Sequence, residues 1–340
     1  MSEHFMHLDA QEQKDILETL AIEMGRKSNV LEKDVWVCWA LDVMFTIPDA
    51  LPMAFKGGTS LSKVFRSINR FSEDIDITVD YRALAKHIGD DFDPFAESAS
   101  NNQIGKYSDR LKAGLAEYAE EKIIPHIQAC THLLPHHDQI EIEYAGDGEK
   151  IWINFSSVVE EQDDYLRSSV LIELGGRNII DPNAVHTVTP DIAERLVEQP
   201  LTFPTADAVV LAPERTFWEK ATLIHSECNR GSMRAGASRL SRHWYDLYLL
   251  NNSGVGQSAL AEASLLEDVV KHKKCFFRSG FSNYDACLAK NFKLIPGIET
   301  RTELEKDYRD MQGMIYGEAP GFTQIMDGIS ELEQSLNAEA

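Results

Sequence analysis

Two aspartates lie in a run whose composition otherwise predicts a β-strand over residues 75–79: Asp74 immediately precedes this range and Asp76 lies within it. Because side chains alternate along a strand, both carboxylates lie on one face while Ile75 and Ile77 turn towards the core. Two like charges at this spacing repel each other, and their oxygen atoms suit a hard divalent cation such as Mg²⁺. The alternative is a half-exposed edge strand whose two aspartates are solvated.

A glycine pair upstream predicts a phosphate-binding turn. The turn follows a short apolar strand, Met53–Phe55, and precedes a helix predicted from about Ser60 to Ile68. Backbone N–H groups and hydroxyls at a helix N-terminus form a site for phosphate. The Walker order Gly-x-x-x-x-Gly-Lys-Ser/Thr is absent. The candidate nucleotide-binding residues are Gly57, Gly58, Thr59, Ser60 and Lys63.

The elements that position these residues follow from periodicity. Helical patterns cover residues 9–27 and 32–45, and a further amphipathic helix runs from Gly105 to about Cys130. Three alternating segments predict antiparallel strands of one sheet, at 139–144, 150–156 and 168–174. After a connector rich in proline at 182–204 the chain becomes helical. We therefore predict an α+β fold: a mixed β-sheet flanked by helices in residues 1–200, followed by an all-α domain in residues 201–340.

Composition limits the class of protein. The 340 residues include 33 Lys and Arg against 55 Asp and Glu, and the net charge of −22 argues against broad binding to nucleic acid or to an anionic membrane. The five cysteines show no Cys-x-x-Cys pair, so neither a zinc site nor a disulfide framework is indicated. The longest apolar stretch, Val35–Phe45, is too short to span a bilayer, and the N-terminus lacks a signal-peptide pattern. We expect a cytoplasmic protein without a membrane partner.

Several ordered motifs carry a resemblance to a known family. "KGGTSLSK" and "RFSEDIDI" resemble the nucleotidyltransferase core shared with DNA polymerase β. Together with "EKDVWVCWAL", "ERTFWEKATLIH", "SRHWYDLYLL" and "HKKCFFRSGFSNYD", they resemble more narrowly the AbiEii/AbiGii toxins, which are related to MenT-type toxins. The motifs cover most of the chain. The resemblance implies an enzyme that transfers a nucleoside monophosphate from an NTP and releases pyrophosphate.

The resemblance also implies a metal site. Asp74 and Asp76 would bind two Mg²⁺ ions, with Mn²⁺ as an alternative, and the fold needs a third carboxylate on a neighbouring strand. Glu173 in "SSVLIELGGR" is the candidate because it interrupts an apolar strand as the two aspartates do. The alternative for Glu173 is an exposed residue at a strand end, in which case Asp181 is the reserve ligand.

Two residues of the helical half match family motifs. Lys220 of "WEKA" would neutralise triphosphate charge, and Asp246 of "HWYDL" would orient Lys220 or act near the attacking hydroxyl. The alternatives are a solvated surface lysine and a buried helix cap or ion pair. Second-tier candidates flank these motifs; among them Arg70 could instead pair with Glu73 or Asp74. They are Arg70, Ser72 and Arg242.

Relatives imply the 3′ end of tRNA as acceptor, a co-encoded antitoxin protein and a role in phage defence. Five basic residues against Glu227 in the stretch 220–242, and four more in 271–278 around Phe276 and Phe277, could bind RNA phosphates and stack bases. These stretches could equally complete the triphosphate pocket, and a protein hydroxyl or a small molecule could accept the nucleotide. Two other functions stay open, a catalytically inactive nucleotide-binding module and a kinase-type phosphotransferase.

Overall fold

A computed structural model describes residues 3–159, 167–232 and 239–338. These residues form a mixed α/β fold and divide into two compact units. The first, here called the sheet unit, comprises the described residues of Met1–Val64, Glu73–Phe92 and Tyr107–Val210. The second, here called the helical unit, comprises those of Phe65–Ser72, Asp93–Lys106 and Leu211–Ala340.

The sheet unit is built on a seven-stranded mixed sheet with the strand order β4-β5-β6-β3-β2-β9-β7. β3 carries Asp74 and Asp76 at the centre of this sheet, antiparallel to β2 and parallel to β6. Two short strands, β1 and β8, pair separately. The strands are β1 Glu3–His4, β2 Met53–Lys56, β3 Asp74–Asp80, β4 Ile140–Tyr144, β5 Lys150–Phe155, β6 Ser169–Asn178, β7 Asn183–Val188, β8 Leu201–Thr202 and β9 Ala206–Leu211.

The predicted alternation along β3 is confirmed, because Ile75 and Ile77 are buried whereas both aspartates are only half-buried. The antiparallel arrangement predicted for β4, β5 and β6 is also confirmed. The proline-rich connector, in contrast, contributes one strand of the main sheet, β7, and another strand, β9, follows the connector directly.

Helices cover the sheet unit. A capping box between Asp9 and Glu12 begins α1, and Gly25 in the left-handed conformation ends it. Most of α2 is buried around its whole circumference. A π-helical segment joins α5 to α6, and the division between the two units falls within α5. The helices are α1 Ala10–Met24, α2 Ser28–Phe45, α3 Gly57–Lys63, α4 Tyr81–His87, α5 Asn101–Tyr118 and α6 Ile124–Thr131.

The helical unit begins with α7, where Pro213 and Glu214 occupy the first turn, positions that favour both residues. A segment from the N-terminal half of the chain, Phe65–Ser72, belongs to this unit. It is held by backbone hydrogen bonds from Phe71 to the Met314 carbonyl and from Tyr316 to the Asn69 carbonyl, at 2.7 and 2.8 Å. The helices are α7 Pro213–Arg230, α8 Arg242–Asn252, α9 Val255–Ala261, α10 Ala263–Phe276, α11 Asp285–Leu288, α12 Ile298–Met311 and α13 Phe322–Asn337.

The two observed units therefore differ from the predicted division of the chain at residue 200. The sheet unit continues to Val210 because β9 completes the sheet beside β2, and two earlier segments belong to the helical unit. Within the described part of the chain, no helix has the length and apolar character needed to cross a bilayer.

Candidate active site

The start of α3 brings the glycine turn against an aspartate of β3. Gly57 has a φ of +82°, and a Cβ atom at this position would lie only 1.9 Å from Asp76 Oδ2. The Asp76 carboxylate therefore rests directly on the Gly57 backbone. Glycine is required here for two reasons, the left-handed φ and the absence of a side chain.

A row of charged residues crosses four strands on the face that carries Asp76. In the sheet register, Lys56 of β2 faces Asp76, Asp76 faces Glu173 of β6, and Glu173 faces Lys150 of β5. Residues paired in register on neighbouring strands project to the same side of a sheet. Asp74 shares this face two residues along β3. Three carboxylates and two ammonium groups thus occupy one region of the sheet.

Glu173 forms an ion pair across this row. Its Oε1 lies 3.1 Å from Lys150 Nζ, and the hydrogen bond and charge of Glu173 raise the pKa of Lys150. Among the described residues, no group of three or more His, Cys, Asp and Glu side chains converges to hold a metal ion. The prediction that Glu173 completes a three-carboxylate metal site therefore does not match this arrangement. Asp181, the reserve ligand, lies at an exposed position and pairs with Arg82.

The donor chemistry of Asp74 and Asp76 still fits a hard cation. Both are carboxylates on one half-buried sheet face, and hard divalent ions take carboxylate oxygens while keeping water or phosphate oxygens as their other ligands. These two residues remain the candidate metal ligands of the sheet unit.

Three predicted nucleotide-binding side chains have partners inside the protein instead. The Thr59 hydroxyl donates to the Asp74 carbonyl, and the Ser60 hydroxyl donates to the Gly57 carbonyl at 3.0 Å; both residues are fully buried. The Lys63 ammonium pairs with two carboxylates, one of them on α2. Thr59, Ser60 and Lys63 thus hold the turn in place through these internal contacts, and their role in nucleotide binding stays a prediction.

The helical unit contains a second cluster around Asp246. Its Oδ1 and Oδ2 accept hydrogen bonds from Nε and an NH2 group of Arg70, at 2.8 and 2.9 Å, and Oδ2 lies 2.9 Å from Lys220 Nζ. Asp246 is completely buried, and Arg70 and Lys220 are nearly so. Arg70 therefore pairs with an acid 176 residues away along the chain.

The electrostatics of this cluster are asymmetric. Burial disfavours the charged form of Asp246, yet Arg70 and Lys220 outweigh burial and hold its pKa well below the usual value. Burial lowers the pKa of Lys220, and Arg70 and Arg242 lower it further while Asp246 opposes them. One carboxylate thus pairs with two cations, and the charge of a third, Arg242, acts on Lys220. Such an excess of positive charge is suited to an anion.

His243, which sequence reasoning missed, belongs to the same cluster. Burial lowers the pKa of His243 well below its usual value, with Lys220 and Arg242 adding to the effect, so the ring is neutral at neutral pH. Its Nδ1 is buried and has no hydrogen-bond partner among the described residues. Ser72, a second-tier candidate, is half-buried in the same unit. The position of His243 beside Arg242 was the only available signal.

Comparison with known proteins identifies the family. The model of the AbiEii family, the nucleotidyl transferase toxin of type IV toxin–antitoxin systems, matches residues 39–328. The chain belongs to the AbiEii family. It is accordingly a nucleotidyltransferase toxin, which implies an NTP substrate and an antitoxin partner.

One solved structure is similar over nearly the whole AbiEii chain. MenT4, the nucleotidyltransferase toxin Rv2826c of Mycobacterium tuberculosis H37Rv, shares 14% sequence identity, with 97% of this chain and 94% of that chain covered and a TM-score of 0.48. No curated protein matches the sequence.

The basic stretch 271–278 of this AbiEii protein is largely engaged in internal contacts. Lys271 lies over the Phe95 ring, Lys273 donates to the Glu219 carbonyl at 2.7 Å, Lys274 pairs with Asp285, and Arg278 donates to Asn101. Phe276 is buried and cannot stack on a base. Residues 233–238, which supply Arg234 to the other basic stretch, lie outside the described residues.

Proposed function

We propose that this toxin transfers a nucleoside monophosphate to the 3′ end of tRNA in a reaction that depends on Mg²⁺ held by Asp74 and Asp76. The single observation that carries the metal dependence is the contact between the Asp76 carboxylate and the Gly57 backbone. This contact puts an acidic side chain at the first residue of α3, while Asp74 lies on the same face of β3 as Asp76. The family supports an NTP as the nucleotide donor.

In the sheet unit, each residue has a distinct task. Asp74 and Asp76 would hold two divalent ions, Mg²⁺ or Mn²⁺, and the bound metal would lower the pKa of the acceptor hydroxyl and stabilise the leaving pyrophosphate. Gly57 lets the backbone approach the carboxylate closely. Lys56 and Lys150, which flank the carboxylates in the sheet register, limit the repulsion between them before a metal binds.

In the helical unit, Asp246 orients Lys220 towards triphosphate oxygens. An ammonium group has three donors, and Lys220 Nζ directs one of them at Asp246 Oδ2, 2.9 Å away. Arg70 occupies both oxygens of Asp246 and so fixes the carboxylate itself. Arg242 adds a third positive charge, which favours a polyanionic ligand over a neutral one.

The identity of the acceptor is tested by determining which molecule receives labelled phosphate from the NTP. Purified toxin is incubated with Mg²⁺, total tRNA and each NTP, carrying label on either the α- or the γ-phosphate. We expect α-label to appear in tRNA with at least one NTP, and to disappear when the tRNA 3′ hydroxyl is oxidised beforehand. Arrival of γ-label alone would indicate a kinase-type transfer, and α-label in protein or in a small molecule would replace tRNA as the acceptor. No transfer of either label would favour an inactive nucleotide-binding module.

We also propose that a co-encoded antitoxin restrains the toxin in the cytoplasm during phage defence. Survival of cells that express the toxin with and without its neighbouring gene tests this proposal, with the Asp76→Asn variant as the non-toxic control. Equal survival in both strains would contradict it.

A further inference from the structure

Three consecutive charged residues, Glu32, Lys33 and Asp34, are buried in α2 of the sheet unit. Successive residues of an α-helix lie 100° apart around its axis, so three in a row cannot share a face. Each side chain therefore reaches a different part of the unit. Burial of three adjacent charges is costly unless every one of them has a partner.

Lys33 reaches the beginning of the strand that carries the two aspartates. Its Nζ lies 2.5 Å from Glu73 Oε2 and donates to the Arg167 carbonyl at 3.1 Å. Glu73 immediately precedes Asp74, and Arg167 precedes β6, the parallel neighbour of β3. One ammonium group thus ties together the starts of both central strands.

Asp34 reaches the helix that follows the glycine turn. One oxygen pairs with Lys63, the last residue of α3, and the other accepts a hydrogen bond from the Asp191 backbone at 2.7 Å. Asp191 in turn binds Lys63 and Arg26. Two carboxylates raise the pKa of Lys63 despite its burial, which keeps this contact charged. The far end of α3 is therefore anchored, and Gly57 occupies the other end.

Glu32 reaches the segment that follows β5. Its two oxygens accept hydrogen bonds from the Val158 backbone at 2.7 Å and from the Ser157 hydroxyl at 2.5 Å. β5 carries Lys150, the partner of Glu173 in the charged row. The triplet therefore contacts α3 itself and residues near the ends of β3, β5 and β6. These elements carry the glycine turn and every residue of the charged row except Lys56, which lies on β2.

We infer that the triplet Glu32-Lys33-Asp34 positions β3 and α3 relative to each other for nucleotidyl transfer, so that Lys33 and Asp34 act on catalysis through Asp76 and Gly57. This inference rests on the proposed function of Asp74 and Asp76. A buried ion pair contributes little net stability compared with an apolar pair of similar volume, but it fixes direction. The Asp76 carboxylate must keep a fixed orientation against the Gly57 backbone, because active-site groups tolerate displacements of only about 0.5 Å.

The test replaces one pair without leaving a lone buried charge. The double variant Lys33→Met/Glu73→Leu is compared with wild type for unfolding free energy, KM for NTP and kcat. We expect unchanged or higher stability, a KM within about threefold and a kcat lowered about 100-fold. Lys33→Arg, whose guanidinium can serve both Glu73 and the Arg167 carbonyl, should recover most of the kcat. The matched control is Arg110→Met/Asp90→Leu, which removes a pair of the same unit formed by an exposed arginine and a half-buried aspartate, and it should leave kcat unchanged.

A second measurement does not depend on activity. In Lys33→Met/Glu73→Leu, hydrogen exchange at Asp74–Asp80 and Gly57–Lys63 should rise at least tenfold relative to β4, and the control should show no such rise. A kcat within threefold of wild type, or unchanged exchange in both segments, overturns the inference. If wild type transfers no nucleotide at all, the proposed function fails, and the exchange data alone decide whether the triplet positions these elements.

Discussion

At the first residue of α3, the space beside the Asp76 carboxylate limits which amino acid can occupy the position. A Cβ atom on Gly57 would overlap Asp76 Oδ2, so Gly57→Ala must displace the carboxylate or the turn. We expect kcat to fall about 100-fold, in addition to the roughly 1–2 kcal/mol that alanine costs at a positive φ. The measurement is the steady-state rate of pyrophosphate release at saturating NTP.

Gly25→Ala is the matched control for this variant. Gly25 also has a positive φ, +61°, in the same unit, but a Cβ there meets nothing within 4 Å. It should lose stability and retain kcat. Equal losses of kcat in both variants would show that strain, rather than the contact with Asp76, is responsible.

The Asp246 cluster makes a prediction about stability. Asp246→Asn removes the one carboxylate shared by two buried cations, so the free energy of unfolding should fall by about 3–5 kcal/mol in urea at neutral pH. Glu305→Gln removes the exposed partner of the exposed Arg309 in the same unit and should cost less than about 1 kcal/mol. A loss below about 1 kcal/mol for Asp246→Asn would contradict the ion-pair geometry.

Glu32 makes a prediction about pH. Burial raises the pKa of Glu32 to about 7, although hydrogen bonds from Ser157 and Val158 oppose the rise. Between pH 4.5 and about 7 the native state therefore binds a proton that the unfolded state has lost, so stability falls as pH rises through this window. Relative to Glu32→Gln, wild type should lose about 3 kcal/mol across it and then level off. A difference between the two proteins that is constant from pH 4.5 to 8 would contradict this account.

At the scale of elements, Glu173 of β6 can act either as an ion-pair partner or as a metal ligand, and the two roles predict different losses of activity. Glu173 pairs with Lys150 across the β5–β6 register. We therefore expect Glu173→Gln to lower the rate of pyrophosphate release by no more than about tenfold, whereas loss of a true metal ligand costs about 10²–10³-fold. A decrease in Glu173→Gln as large as that in Asp76→Asn would restore Glu173 to the metal site.

Local patterns explain why β3 was predictable, whereas the helix predicted from about Ser60 to Ile68 lies earlier in the chain, at Gly57–Lys63. Alternation with period two places Asp74 and Asp76 on one face whatever the rest of the chain does, and a glycine pair between strand and helix marks a tight turn. The same reasoning predicted α1 from its Asp9 cap. These features depend on neighbours within a few residues.

Long-range pairing explains what the sequence did not reveal. Lys63 lies near the glycine turn in sequence, but its partners Asp34 and Asp191 are 29 and 128 residues away. Arg70 had two nearby acids as candidate partners, yet its guanidinium binds Asp246. A charged residue near a motif cannot be assigned to the ligand or to the fold until its distant partners are known.

At the scale of the whole molecule, charge limits how RNA could bind. With a net charge of −22, the protein has no general attraction for a polyanion, so an RNA acceptor must meet local positive charge. Several basic residues of the stretch 271–278 already have partners within the helical unit. An RNA acceptor would therefore need positive charge outside this stretch.

The most direct test of the central claim is the Mg²⁺-dependent transfer of α-labelled NMP by wild type and by Asp76→Asn. We predict that transfer by wild type requires Mg²⁺ or Mn²⁺, and that Asp76→Asn is slower by about 10³-fold with an unfolding free energy within about 1 kcal/mol of wild type. Transfer that survives removal of divalent ions, or an Asp76→Asn rate within tenfold of wild type, would contradict the claim that the carboxylates of β3 hold the metal.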